Sequence, residues 1–471
     1  MRTTLTWALA LAVAGCGGKG SILDELTVSA GQTQGPTYGP SGEPDDSGDE
    51  PTTSATTGGE PTTGGPSGTN PIDVLFVIDN TGSMADEQAL LAKNIAALVN
   101  TERDLRIGVT TTDAGNPRCP SAQTTPENGA MATLSCIERV AKSEFSFNME
   151  DFSYACTDVC DRGALGLVPT PTSLEPEAEV RPWLERTGGV TNLADEGLSL
   201  VQALQCALPR GVNGCGFESQ LESMRLALLR TMDAHQPEYG FLRAEADLVV
   251  VILTDELDCS FNPAFDSIFK DNKLFWENPD DPNATSAVCF NAGVKCQGSG
   301  PQYDACVATN YNIEGEPDVA DEEAVLWPVS RYADLLAEIQ ASKTGGARVR
   351  LLAIAGVPPG FETGDANLVF EEDPDPAEND LFGIGPGCVL VDPNSPTSRR
   401  RPGRRCACSR SAPASGRSSS IRSANTTTPR SSPPSPSPES SACPHASTTF
   451  RSPRKSSRRR RSARPTACSP S

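Results

Sequence analysis

Residues 71–84 read PIDVLFVIDNTGSM. Val74 to Ile78 within them are five apolar residues without alternation, and the polar run begins abruptly at Asp79. An unbroken apolar strand is buried on both faces, as in a parallel sheet covered by helices on each side. Three more segments share this character: Arg106 to Thr112 (RIGVTTT), Leu248 to Leu253 (LVVVIL) and Val349 to Ala355 (VRLLAIA). Between them lie helical patterns. Residues 84–99 place Leu91, Ile95, Leu98 and Val99 on one face, and residues 217–232 and 329–340 repeat the pattern, with a further helical stretch at about 194–208. Strands alternating with amphipathic helices predict an α/β fold with a doubly wound, mostly parallel, Rossmann-like sheet.

In such a sheet ligands sit at the carboxyl ends of the strands, near the point where strand order reverses. The end of strand 74–78 offers oxygens at i, i+2 and i+4: the Asp79 carboxylate and the Thr81 and Ser83 hydroxyls, with Gly82 permitting a tight turn. Hard oxygens gathered at a helix start suit Mg²⁺ or another hard divalent cation such as Mn²⁺ or Ca²⁺. The alternative is plain helix capping by Ser83 or Thr81. Other acids have simpler readings. Asp86 and Glu87 lie in the first turn of the first helix, and Glu218 lies near a helix start, where the helix dipole accounts for them. Asp113 reads as a turn cap or a rim residue, Asp258 as solvated or as approaching the metal, and His235 as a surface residue.

PIDVLFVIDNTGSM resembles the first strand and D-x-S-x-S metal-ion-dependent adhesion site of the von Willebrand factor type A family, with Thr81 at the first serine position. LVVVILTDELDCS resembles that family's fourth strand with its site aspartate, here Asp255, and RVRLLAIAGV its fifth. The resemblance covers roughly 71–112, 186–256 and 327–357, and the set NTGSM, TTDAG, GCGFES, TDELDCS and FGIGPGC is similar to myxobacterial lipoproteins that carry this domain. It implies metal ligands Asp79, Thr81, Ser83 and Asp255, plus a threonine from a second loop. Thr191, in Gly188-Gly189-Val190-Thr191-Asn192, has the family's look. Chain order points to the loop Gly211 to Cys215, where Val212 fills the slot and offers no oxygen; of the two, Thr191 is the preferred ligand.

The chain has 471 residues and a formal net charge of -22. The charge is segregated. Residues 399–471 hold 17 Lys/Arg and one acid, so the remainder carries 22 bases against 60 acids. An acidic body of that kind excludes nucleic acid as a partner by charge. Two histidines, His235 and His445, argue against a Ser-His-Asp triad, a Cys-His dyad or a multi-histidine zinc site.

The chain divides into four parts. Residues 1–16 read as a lipoprotein signal peptide: Leu5 to Ala14 is apolar, and Val13-Ala14-Gly15-Cys16 resembles a lipobox whose Cys16 is lipidated. Residues 17–70 form a disordered Gly/Thr/Ser/Pro tether reaching on the order of 40 Å. Residues 71–392 form the folded body, with cysteine-rich insertions at 114–186 and 256–326 whose disulfide connectivity spacing does not decide. Residues 393–471 switch to Arg, Ser, Pro and Ala; this tail reads as out-of-frame translation of a GC-rich gene, as a disordered solvated tail, or as a basic arm. The body holds eleven cysteines, an odd number that leaves one, such as Cys388, without a partner. An envelope address implies an oxidising compartment and disulfides.

These features together predict an envelope-anchored module at the outer membrane or cell surface, held to the membrane by its lipid. The family resemblance implies that it binds a protein ligand offering Glu or Asp to the divalent cation. A structural lipoprotein with a vestigial site and a metal-dependent hydrolase are the rival expectations. No nucleophile–base pair stands out in the sequence, so no enzymatic activity is expected.

Overall fold

A computed structural model describes residues 70–119, 124–357 and 368–386. The signal peptide with Cys16, the tether before residue 70, Cys388 and the basic tail lie outside the described residues. In chain order the elements are β1 (Ile72–Ile78), α1 (Ala85–Val99), β2 (Leu105–Thr111), α2 (Cys136–Ala141), β3 (Ser146–Phe147), β4 (Glu150–Asp151), α3 (Tyr154–Thr157), β5 (Leu184–Thr187) and β6 (Val190–Thr191). They continue with α4 (Leu200–Ala207), α5 (Gln220–Met232), β7 (Asp247–Leu253), α6 (Ala287–Asn291), β8 (Val294–Ser299), β9 (Gln302–Ala308), α7 (Val329–Ser342), β10 (Val349–Ile354), β11 (Phe370–Glu371) and α8 (Pro376–Phe382).

β1, β2 and β7 are buried at every position. Successive side chains of β1 therefore feed two cores. Val74, Phe76 and Ile78 pack with Leu91 and Ile95 of α1 and Leu204 of α4. Leu75 and Val77 pack with Met224 and Leu228 of α5 and Leu336 and Ile339 of α7. Helices thus cover both faces, and the apolar runs need no alternation.

The six-stranded sheet has the order β10-β7-β1-β2-β5-β6. β10, β7, β1 and β2 are parallel, whereas β5 and β6 close one edge antiparallel. The predicted α/β class with a mostly parallel sheet is present. Strand order reverses at β1: β2 lies on one side and β7, much later in the chain, on the other. Ile78 is in register with Thr111 and with Leu253, so residues 79, 112 and 254 leave the sheet at the same level.

The first insertion, expected at 114–186, ends inside the sheet, because Leu184 and Glu185 already pair with β2. The second insertion has its own small core around Phe269, Trp276 and Val288 and carries the β8–β9 hairpin, to which β11 adds a strand. Five disulfides use all ten cysteines among the described residues: 119–215, 136–156, 160–206, 259–289 and 296–306. The first and third tie the insertion to the segment around α4, a long-range connectivity that spacing does not encode. No helix among the described residues is long and apolar enough to cross a membrane.

Candidate functional site

Four of the five predicted metal ligands converge at the switch point. β1 ends at Asp79, which is fully buried. The turn that follows folds back on it: Thr81 N and Thr81 Oγ1 donate to Asp79 Oδ1 at 2.9 and 2.7 Å. β7 ends at Thr254 and Asp255, and Thr254 Oγ1 donates to Asp79 Oδ2 at 2.7 Å. Ser83 Oγ lies 3.3 Å from Thr81 Oγ1 and donates to Asp255 Oδ1 at 3.2 Å.

Proton bookkeeping shows how the oxygens are oriented. Thr254 Oγ1 already accepts from Gln220 Nε2 at 2.8 Å and from Glu256 N at 3.1 Å, so its single proton must go to Asp79. Thr81 spends its proton on Asp79 and Ser83 spends its own on Asp255. With Ser83 donating to Asp255, the hydroxyl protons end on carboxylates and oxygen lone pairs of Thr81 and Ser83 face one another across 3.3 Å. Asp255 Oδ2 is buried and has no hydrogen-bond partner. Burial pushes the Asp79 carboxyl up, opposed by the hydrogen bonds from Thr254 and Thr81. Burial pushes Asp255 well above the ordinary range, with the charge of Asp79 adding to it. Two crowded carboxylates, two hydroxyls and an orphaned buried oxygen fit a hard divalent cation, the donor class such ions prefer.

Two glycines keep the turn thin. A Cβ on Gly82 would come within 2.3 Å of the Phe147 ring, which lies on it from the β3–β4 hairpin. A Cβ on Gly214 would meet Asn80 Oδ1 at 2.3 Å. Gly214 N donates to Asn80 O at 2.8 Å, so the loop from Gly211 to Cys215 is the one that abuts the site. Gln88 of α1 fastens it there, donating to Asp79 O and to Gly211 O and accepting from Arg210 N. Val212 in that loop is buried among the apolar residues of the core and brings no oxygen.

Thr191 does not join the group. It pairs with Arg186, which pairs with Leu105 at the amino end of β2, so it lies at the opposite end of the sheet from Asp79. Gly188 and Gly189 both have positive φ, 58° and 83°, and form the two-residue turn of the β5–β6 hairpin. The Gly-Gly-x-Thr-Asn motif is there a hairpin signal. Asn192 belongs to the same turn, receiving Glu185 N and donating to Trp183 O.

Other acids depart from their sequence reading. Asp258 is not solvated: it accepts from Leu221 N at 2.9 Å and from the Ser260 amide and hydroxyl, and burial pushes it up to about 6. It caps the start of α5. Glu218 precedes that helix, yet its side chain is 1% exposed and neither carboxylate oxygen has a hydrogen bond, so the helix dipole is not a sufficient account. Asp113 does cap a turn, receiving Gly115 N at 2.9 Å, but its Oδ2 is buried without a partner. His235 is exposed beside Asp233. Thr254 has no signal in the sequence beyond its position before Asp255 in TDELDCS.

A cleft of about 620 Å³ opens beside the turn, lined by Thr81, Ser83, Phe147, Phe152, Phe217 and Glu256 among others. No family of known proteins matches the chain, and no curated protein matches it either.

Proposed function

We propose that this chain is a divalent-cation-dependent protein-binding module whose partner contributes a Glu or Asp side chain. Asp79, Thr81, Ser83 and Asp255 would hold Mg²⁺, with Mn²⁺ or Ca²⁺ as substitutes, and the resemblance to the von Willebrand factor type A family supports the assignment. The ion, when bound, supplies positive charge to which an outside carboxylate can bind. The chain's own residues do the rest. Thr254 and the Thr81 amide hold Asp79 in place. Ser83 bridges the turn to Asp255. Phe147, Phe152 and Phe217 give the adjoining cleft apolar walls that can hold the residues flanking the partner's carboxylate.

The observation that carries the reading is the buried, partnerless Asp255 Oδ2 beside two hydroxyls whose protons point away. A lipid anchor through Cys16 and a place on the outer membrane or cell surface belong to the same proposal. The test is capture from cell-envelope extract on the immobilised full chain. The expected partner is retained in Mg²⁺, released by chelator, not captured by Asp79→Asn, and lost when one of its own Glu or Asp residues becomes Gln or Asn. A partner held equally well in chelator overturns the proposal.

A further inference from the structure

A second group of orphaned oxygens lies next to the first. At the end of β2, Thr112 is fully buried and its Oγ1 has no hydrogen bond. Asp113 follows at 1% exposure; its Oδ1 receives Gly115 N, while its Oδ2 has no partner. Glu218 is 1% exposed with both oxygens partnerless, and Thr124, also buried, has a partnerless Oγ1. These groups are neighbours. Thr112 stands beside the Glu218 carboxylate, and Thr124 beside that of Asp113. The strongest charges acting on Glu218 are acids: Asp79, Asp113 and Glu256. The nearby arginines Arg139 and Arg210 are committed to Glu127 and Glu144.

The backbone holds the group rigidly. Thr112 N donates to Ile78 O, Ser219 N to Thr112 O and Cys259 N to Glu218 O. The Cys119–Cys215 disulfide ties the Asp113 turn to the loop against Asn80. Thr112 is the one hydroxyl that approaches Glu218, and Thr124 and the Cys215 amide approach Asp113, but Asp113 Oδ2 and both Glu218 oxygens fall short of a well-formed hydrogen bond; buried carboxylate oxygens so poorly satisfied are costly unless a proton or a cation meets them.

We infer that Asp113, Glu218 and the hydroxyls of Thr112 and Thr124 form a second divalent-cation site beside the first. Its donors are all oxygen, two carboxylates and two hydroxyls, the same set as Asp79, Asp255, Thr81 and Ser83. Four carboxylates then balance two divalent ions, and Glu218, facing both Asp79 and Asp113, couples the two. The inference stands on its own oxygens and does not require the partner-binding reading.

The test counts ions. The full chain, freed of metal by chelator and dialysis, is equilibrated with Mn²⁺, and bound metal is measured per chain. The expected result is two ions for the wild type, one for Asp113→Asn, one for Asp79→Asn and none for the double variant. Asp113→Asn keeps the acceptor for Gly115 N, and circular dichroism checks its fold. Should it fail to fold, Thr112→Val removes one donor at nearly constant volume and is expected to weaken one of the two ions about tenfold. A single wild-type ion that disappears with Asp79→Asn overturns the second site and leaves the first standing. A single ion that survives Asp79→Asn and disappears with Asp113→Asn does the reverse. Two ions retained by Asp113→Asn, or unchanged affinities in Thr112→Val, also overturn it.

Discussion

Asp79→Asn is expected to leave the metal-free fold nearly as stable as the wild type while removing the share of the Mg²⁺ stabilisation that the ion at Asp79 confers. The side chain receives three hydrogen bonds, two from Thr81 to Oδ1 and one from Thr254 to Oδ2. The substitution preserves the acceptor for Thr81. The new amide then faces Thr254 Oγ1, which already accepts from Gln220 and Glu256 and can accept no more. Losing one hydrogen bond to a charged acceptor costs about 1.5–3 kcal/mol. Against this, the substitution removes a buried charge that sits beside Asp255 and Glu218 and raises both of their carboxyls. The two effects oppose one another. Saturating metal is a different matter. At a hundred times the dissociation constant a bound ion stabilises by about 2.7 kcal/mol. For a domain of this size that is a rise in melting temperature of about 5 °C. Scanning calorimetry of wild type and variant, each with chelator and with Mg²⁺, reads both numbers. An Asp79→Asn chain that keeps the wild-type metal shift would refute the assignment of Asp79, and a wild type with no shift at any Mg²⁺ or Mn²⁺ concentration would refute the site.

Thr81→Val should weaken Mg²⁺ binding at least about tenfold, whereas Thr191→Ala, at the far end of the sheet, should leave it unchanged; titration calorimetry separates the two, and an effect at Thr191 would contradict the strand pairing. Replacing both Cys119 and Cys215 by Ser opens a disulfide spanning 96 residues and should destabilise the chain by about 2–5 kcal/mol in denaturant unfolding, an unchanged midpoint counting against that bridge. Asp258, pushed up to about 6 by burial, disfavours its charged form in the fold. Its contribution to stability is present below its unfolded value near 4 and fades as pH rises through 6. Asp258→Asn should therefore flatten the loss of stability between pH 4 and 7, and identical slopes in the two proteins would rule this out.

Sheet, helices and strand ends were legible in the chain because each follows from local pattern. Val74 to Ile78 and Leu248 to Leu253 are apolar without alternation, and only burial on both faces explains such runs. Asp79, Thr81 and Ser83 share one turn, so their convergence follows from sequence spacing alone, whereas Asp255 was indicated only by the family resemblance and the pairing of its strand with the first is a tertiary fact. What lies between strands was decided only by tertiary contacts. Gly-Gly-Val-Thr-Asn looks like a ligand loop in sequence, but positive φ at Gly188 and Gly189 turns it into a hairpin at the wrong end of the sheet. Glu218 looks like an ordinary acid near a helix start, and nothing local shows that Thr112 and Asp113, a hundred residues earlier, bury it. Pairing of the cysteines across 96 and 46 residues is likewise set by which loops pack together. Period and turn chemistry act within a few residues and are written in the chain. Burial, orphaned oxygens and the direction of a shared proton depend on groups that meet only when the sheet has formed.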